Sequence, residues 1–245
     1  MITKGIYTIL ENRPVAEDTY LIRLAGDTTS LIRCGQFVNI KLDGFFLRRP
    51  ISVCDWDENE LTLIYKVVGS GTLRISQMHT GETLDLLCGL GNGFDTQAAT
   101  GADVLIGGGV GVPPLYALAK RLISQGKPPK VILGFNTAQQ AFFVDEFQAL
   151  GLPVIVTTAD GSLGLKGFVT DALKSTDFDY YFACGPMPML RAVHSFGKNG
   201  QLSFEERMGC GFGACMGCTC QTLTGYKRIC VDGPVMLSQE VRFDG

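Results

Sequence analysis

The sequence predicts a multi-domain β plus α/β protein: an antiparallel β-barrel, then a parallel-sheet α/β domain, then a small cysteine-bearing module. Three observations lead there. Residues 1–100 alternate short strand-like runs with turns. Residues 101–202 alternate apolar strands with helical patterns around glycine turns. Five of the nine cysteines crowd between Cys210 and Cys230, within a tail at 203–245 too small to build its own core.

The bulk numbers agree with this division. A chain of 245 residues suits two small domains and an appendage at roughly 100–150 residues per domain. Its hydrophobic content is 46%, enough for real cores. The 18% charged content lies below the common value of about 25%, which argues against long disorder. Net charge is −3 with no basic run, so a nucleic-acid partner has no electrostatic footprint. The uncharged stretch from Val104 to Ala119 is broken by Gly107, Gly108, Gly109, Gly111, Pro113 and Pro114. It is also shorter than the ~20 residues of a spanning helix, so it reads as strand, turn and helix, and no membrane is expected. The N-terminus lacks the charged-then-apolar layout of an export signal, so a cytoplasmic setting with reduced thiols is expected.

In the barrel part, Ile6–Leu10, Thr19–Leu24, Phe37–Leu42 and Leu61–Val68 read as strands, parted by turns such as Gly26-Asp27 and Cys34-Gly35. A helix is expected from Thr72 to about Met78. In the second part the strands are Val104–Ile106, Val131–Phe135, Val154–Thr158 and Asp179–Ala183. Helices are expected over Pro114–Ser124, Ala141–Leu150 and Phe168–Leu173, which makes βαβ units and a parallel sheet.

The cysteine spacing is Cys210-x4-Cys215-x2-Cys218, with Cys230 twelve positions on. Plant-type two-iron clusters use C-x4-C-x2-C and a distant fourth cysteine. Thiolates that converge on two irons need backbone N–H groups aimed at sulfur, and Gly211, Gly213, Ala214 and Gly217 clear that approach. A structural zinc site would more commonly show two short pairs. Buried free cysteines would leave the interleaved glycines unexplained. Cys220 stands too close to Cys218 for the pattern and is expected to pack in the strand after the loop.

Two elements of the barrel part point to a dinucleotide. Arg48-Arg49-Pro50-Ile51-Ser52-Val53 enters a strand, where an arginine clamps a pyrophosphate and a serine bonds a ring nitrogen. An exposed basic pair before a strand is the plain alternative. Gly69-Ser70-Gly71-Thr72 opens a helix, whose free N–H groups favour phosphate, although it also fits a glycine turn with Thr72 as N-cap. Together they suit a flavin dinucleotide. In the second part, Gly107-Gly108-Gly109-Val110-Gly111 lies between strand and helix, the context of a nucleotide-binding turn, though not in G-x-G-x-x-G spacing. Cys184-Gly185-Pro186 follows the last expected strand, at a carboxyl edge where open α/β sheets bind ligands.

In order and spacing these motifs resemble the ferredoxin–NADP reductase superfamily. The tail from Glu206 to Cys218, with Gly91-Asn92-Gly93-Phe94 and Cys230-Val231-Asp232-Gly233-Pro234, narrows the resemblance to the electron-transfer subunits of B-type dihydroorotate dehydrogenase, over nearly the whole chain. That resemblance implies FAD on the barrel through Arg49, Pro50, Ile51, Ser52, Ile64, Tyr65, Lys66, Gly71 and Thr72. It implies a 2Fe-2S cluster on Cys210, Cys215, Cys218 and Cys230, and NAD as acceptor on the α/β domain, at Gly107, Gly108, Gly109, Gly111, Gly185 and Pro186. Lys66 stands where many relatives carry arginine, which keeps the charge and loses the bidentate fork. Asn136–Gln140 holds no arginine for a 2′-phosphate, so NAD is expected over NADP.

The implied partner is an FMN-containing subunit that oxidises dihydroorotate in pyrimidine (UMP) biosynthesis, in a heterotetramer of two of each. Ser52 is the expected bond near flavin N5, and Cys184 is expected on the nicotinamide side. Met208, Phe212 and Met216 are expected at the partner interface, as large apolar residues around the metal loop. The alternatives are a reductase subunit of another flavin/iron–sulfur complex, of the NAD-dependent ferredoxin:NADP reductase or sulfide dehydrogenase type, and a zinc-stabilised non-enzymatic module.

Overall fold

The computed structural model describes residues 1–243; the last two positions of the expected C-terminal module lie outside the described residues. Its first part contains β1 (Thr3–Ala16), β2 (Thr19–Ala25), β3 (Phe37–Lys41), β4 (Arg49–Trp56), β5 (Glu60–Lys66), α1 (Ser70–Ser76) and β6 (Thr83–Leu90). The six strands close into a barrel in the order β1-β2-β5-β4-β3-β6, every pairing antiparallel. Closure follows from alternation: β6 turns Leu84, Leu86 and Cys88 into the barrel core and its Thr83, Asp85 and Leu87 outward. Each fully buried leucine there contributes about 1.5–3 kcal/mol.

The helix α1 starts two residues before the expected Thr72. Its N-cap is Gly69, which places Thr72 in the first turn and rules out Thr72 as the cap. The Thr72 hydroxyl accepts from the N–H groups of Val68 (3.0 Å) and Gly69 (3.3 Å). At the other end, Asn12 Nδ2 donates to the Ile75 and Met78 carbonyls at 2.8 and 2.9 Å. The buried Tyr65 hydroxyl donates to Asn12 Oδ1 at 3.0 Å, so the barrel wall holds the helix.

The second part contains β7 (Asp103–Gly108), α2 (Pro113–Ser124), β8 (Lys130–Phe135), α3 (Val144–Ala149), β9 (Val154–Thr158), β10 (Leu165–Lys166), α4 (Val169–Leu173), β11 (Tyr180–Cys184), α5 (Met187–His194) and β12 (Asn199–Ser203). The expected helix over 141–150 is shortened to α3. The backbone at Phe143 turns to a positive φ of 62° and interrupts it. The tail adds a hairpin of β13 (Thr219–Thr222) and β14 (Gly225–Arg228), then β15 (Val235–Leu237). The sheet order is β10-β9-β8-β7-β11-β12-β15. It is parallel up to β12, and β15 joins antiparallel at the edge, so the tail completes a mixed sheet.

This order fixes the ligand-facing edge. The chain runs from β7 outward through β8 and β9, then returns to the other side of β7 with β11. The switch point between β7 and β11 is where open α/β sheets hold ligands. The parts also share their cores. Leu21, Ile64 and Phe94 pack in one cluster with Leu105, Val112 and Leu115, and Lys120 Nζ on α2 meets Asp55 Oδ2 on β4 at 2.6 Å. Phe37 and Leu90 of the barrel pack with Cys218, Ile229 and Met236 of the tail.

Candidate functional site

Strand β4 carries the Arg-Pro-Ile-Ser motif, and the structure separates its two arginines. Arg48 is engaged on the barrel wall: Nη2 pairs with Asp85 Oδ1 at 2.8 Å, and Nη1 donates to the Asn39 and Asp85 carbonyls at 3.1 and 3.0 Å. Arg49 lies outside, its guanidinium 4.9 Å from the Phe45 ring centroid. It also packs directly against Gly71, where any Cβ would overlap the guanidinium. Two motifs 22 positions apart thus meet in one basic cradle. Pro50, Ile51 and Ser52 beside it are half-buried.

Not every expected contact presents a side chain. Ile64 belongs to the core, and Tyr65 stacks on Tyr20 with ring centroids 5.9 Å apart while its hydroxyl serves Asn12. Lys66, opposite Thr19 in the β2–β5 ladder, instead reaches a large cavity.

That cavity measures about 630 Å³, within the range of small-molecule and cofactor sites. It opens at the β7/β11 switch point and is lined by Gly108, Gly109, Val110 and Gly111, by Gly185 and Pro186, and by the ends of β8 and β9. Gly111 lies against the Cys184 carbonyl too closely to admit a side chain, which locks the two turns together. Gly107 packs under Val112 and Leu115 behind this wall.

Cys184 is placed differently from expectation. It is buried and its side chain is outside the lining; burial pushes its thiol up to about 12, with the Glu205 charge adding to the effect and Ser203 opposing it. The side chain that does enter the cavity nearby is Glu205, just beyond β12, and burial raises its carboxyl above the ordinary value. The residue nonetheless keeps accessible surface. Thr157, at the end of β9, adds a buried hydroxyl without a partner. Sequence reading missed both. The carboxyl-edge rule would have found Glu205 had the short, polar β12 been recognised.

The cysteine loop holds its sulfurs in backbone N–H groups. Cys210 Sγ accepts from Ala214 (3.2 Å) and Cys215 (3.4 Å), and Cys215 Sγ from Cys210 (3.4 Å) and Gly217 (3.5 Å). Cys218 Sγ accepts from the Cys230 N–H at 3.4 Å. Burial alone would raise Cys210, but the N–H groups of Cys215, Phe212 and Ala214 outweigh it and bring the thiol down to about 6. Burial, then the neighbouring Cys218, pushes Cys230 up to about 12. Met216 takes a φ of 60°, which lets the loop turn back between Cys215 and Cys218.

Among the described residues no group of three His, Cys, Asp or Glu side chains gathers as a single-ion site. Backbone N–H to Sγ bonds link Cys210 with Cys215 and Cys218 with Cys230, and four cysteine thiolates are the donor set that a two-iron cluster takes. Cys220 lies in β13, half-buried. Phe212 and Met216 are exposed beside the loop, while Met208 packs partly against the tail core. Among the described residues no helix is long and apolar enough to cross a membrane.

Comparison with known proteins gives a consistent picture. Residues 205–242 match a family model described as the iron-sulfur cluster binding domain of dihydroorotate dehydrogenase B. Residues 105–195 match one described as an oxidoreductase NAD-binding domain. The chain is 45% identical, over 98% of its own length and 99% of the other, to the dihydroorotate dehydrogenase B (NAD(+)) electron transfer subunit of Geobacillus sp. (strain WCH70). It is 43% identical to the subunit of the same name from Fusobacterium nucleatum, over 97% and 98% of the two chains. Among solved structures, an NADH-dependent reduced ferredoxin-NADP oxidoreductase superposes with a TM-score of 0.88 at 32% identity, covering 98% of this chain and 90% of that one. Phthalate dioxygenase reductase, at a TM-score of 0.68 and 13% identity over 90% and 87% of the chains, shares the fold.

Proposed function

The chain belongs to the family of dihydroorotate dehydrogenase B (NAD(+)) electron transfer subunits, and from that membership we propose the path its residues serve. Electrons enter from an FMN-containing, dihydroorotate-oxidising partner in cytoplasmic pyrimidine (UMP) biosynthesis. They leave on NAD, in an assembly of two of each subunit. The division of labour is residues 1–100 for FAD, 101–202 for NAD and 203–245 for the 2Fe-2S cluster. When bound, the flavin exchanges a hydride with nicotinamide and single electrons with the cluster, so one chain joins two-electron to one-electron chemistry.

The residues do the positioning. Arg49, backed by Gly71, clamps the pyrophosphate of FAD; Pro50, Ile51 and Ser52 line the ring, with Ser52 bonding near N5. Ile64, Tyr65 and Lys66 contribute through their strand, and Thr72 steadies the turn before α1. Gly107, Gly108, Gly109 and Gly111 hold the nucleotide against β7. Gly185 and Pro186 hold it against β11, and Cys184 orders that turn from behind. Cys210, Cys215, Cys218 and Cys230 hold the two irons. Met208, Phe212 and Met216 face the partner.

The observation that carries this reading is the shared seating of three sites: the Arg49–Gly71 cradle, the cavity reached by Lys66, and the paired cysteines packed on the same barrel. An anaerobic absorption spectrum before and after NADH tests it. A flavin band over broad iron–sulfur absorption, both bleached by NADH, is expected. A chain that stays colourless after reconstitution with FAD, iron and sulfide would refute it.

A further inference from the structure

Strand β3 lies between the flavin motif and the cysteine loop; Phe37 packs on both, and Asn39 is the residue whose polar groups reach both sides. Its backbone pairs with Pro50 across β3–β4, and its carbonyl accepts from Arg48 Nη1 at 3.1 Å. Its side-chain Nδ2 crosses to the tail and donates to the Cys210 carbonyl at 3.2 Å, over a sequence separation of 171 residues. On the far side Gly211, at a φ of +80°, leaves room for it; a Cβ there would sit 2.5 Å from Nδ2. Asn39 is 1% exposed, yet its Oδ1 has no partner. A buried orphan acceptor costs about 1–3 kcal/mol. A position needed only for packing would avoid that cost with leucine. The polar group is therefore explained by what it holds.

We propose that Asn39 is the positioning residue that sets the cluster loop against the flavin strand, and with it the separation across which electrons pass between the two cofactors. This rests on the functional reading above. In the step it serves, the cluster is oxidised by one electron as the flavin is reduced by one. No bond forms or breaks at the amide, and no proton crosses it. Asn39 acts through Cys210 on one side and Pro50 on the other, each fixed to it by a direct contact.

The test uses the full chain in complex with its partner, loaded with FAD and cluster, comparing wild type with Asn39→Leu by stopped-flow absorption and EPR. NADH should bleach the flavin of Asn39→Leu at the wild-type rate. Cluster reduction should slow by about tenfold or more, towards the ~100-fold that a 1 Å misplacement can cost. The EPR signal of the reduced cluster should change shape. Hydrogen exchange of the Gly211–Ala214 amides, read without turnover, should quicken. Wild-type cluster reduction with a wild-type EPR signal would overturn the proposal. If Asn39→Leu loses iron, Asn39→Ser, which keeps a smaller donor, carries the same readouts: a slower rate and altered signal support the assignment, and wild-type values overturn it. A wild-type chain that takes up neither flavin nor iron would overturn the functional reading, and this proposal with it.

Discussion

The Asn92 side chain grips Val235 at both of its backbone polar groups: Nδ2 donates to the Val235 carbonyl at 2.7 Å, and Oδ1 accepts from its N–H at 3.1 Å. The pair spans 143 residues and ties the end of the barrel to the strand that closes the sheet. Nδ2 also reaches the Asp232 carbonyl at 3.1 Å, two residues past Cys230.

Asn92→Ala removes these bonds together and strands their backbone partners. A loss of about 1–3 kcal/mol is expected. Hydrogen exchange should locate it in β15 and the 230–235 segment, with the core of β7 and β8 still protected.

The two arginines of the motif should separate cleanly. Arg49→Ala should weaken FAD binding at least tenfold and leave thermal stability nearly unchanged. Arg48→Ala leaves Asp85 to the more exposed Lys4 and strands the Asn39 and Asp85 carbonyls, and should cost about 1–3 kcal/mol of stability. Equilibrium dialysis of FAD and urea unfolding of the two variants check both statements.

Burial alone would raise Asp85, but Arg48 and Lys4 outweigh it and hold the carboxyl below its ordinary 3.8. The native state therefore gives up this proton more readily than the unfolded chain does. The contribution to stability is complete above pH 3.8 and fades as pH falls through the lower native value. Acid unfolding followed by circular dichroism should be less steep for Asp85→Asn in that window.

Among the cysteines, Cys230→Ser should lose most of its iron and acid-labile sulfide, and Cys220→Ser should retain both. Iron analysis and the visible spectrum decide the matter. Equal loss in the two variants would remove Cys230 from its privileged place.

A carboxylate in the cavity favours the cationic ring of oxidised nicotinamide over the neutral reduced one. Glu205→Gln should raise the KM for NAD severalfold and leave that for NADH close to wild type. Steady-state kinetics in both directions measure the split.

Much of this was legible in sequence because the signals are local. Cys210-x4-Cys215-x2-Cys218 states its chemistry within nine residues, and the inward alternation in the barrel half announces strands without reference to neighbours. The glycine run after β7 likewise sits where strand meets helix. Elements with weak local patterns were missed: β12 reads Asn-Gly-Gln-Leu-Ser and becomes a strand only because β11 and β15 flank it. The shortened α3 has the same origin, since its helical pattern gives way where packing turns Phe143 to positive φ.

The sequence by itself determined the class of the three parts, the spacing of the four thiols and the presence of an arginine-bearing flavin motif. Only the tertiary structure decided which arginine is tied to Asp85, that Glu205 rather than Cys184 lines the cavity, and that Asn39 and Asn92 bind the tail to the barrel. The physical reason is separation along the chain. Spacing within a loop is written in neighbouring residues, whereas Asn39–Cys210 and Asn92–Val235 exist only once barrel closure and sheet order bring distant strands together.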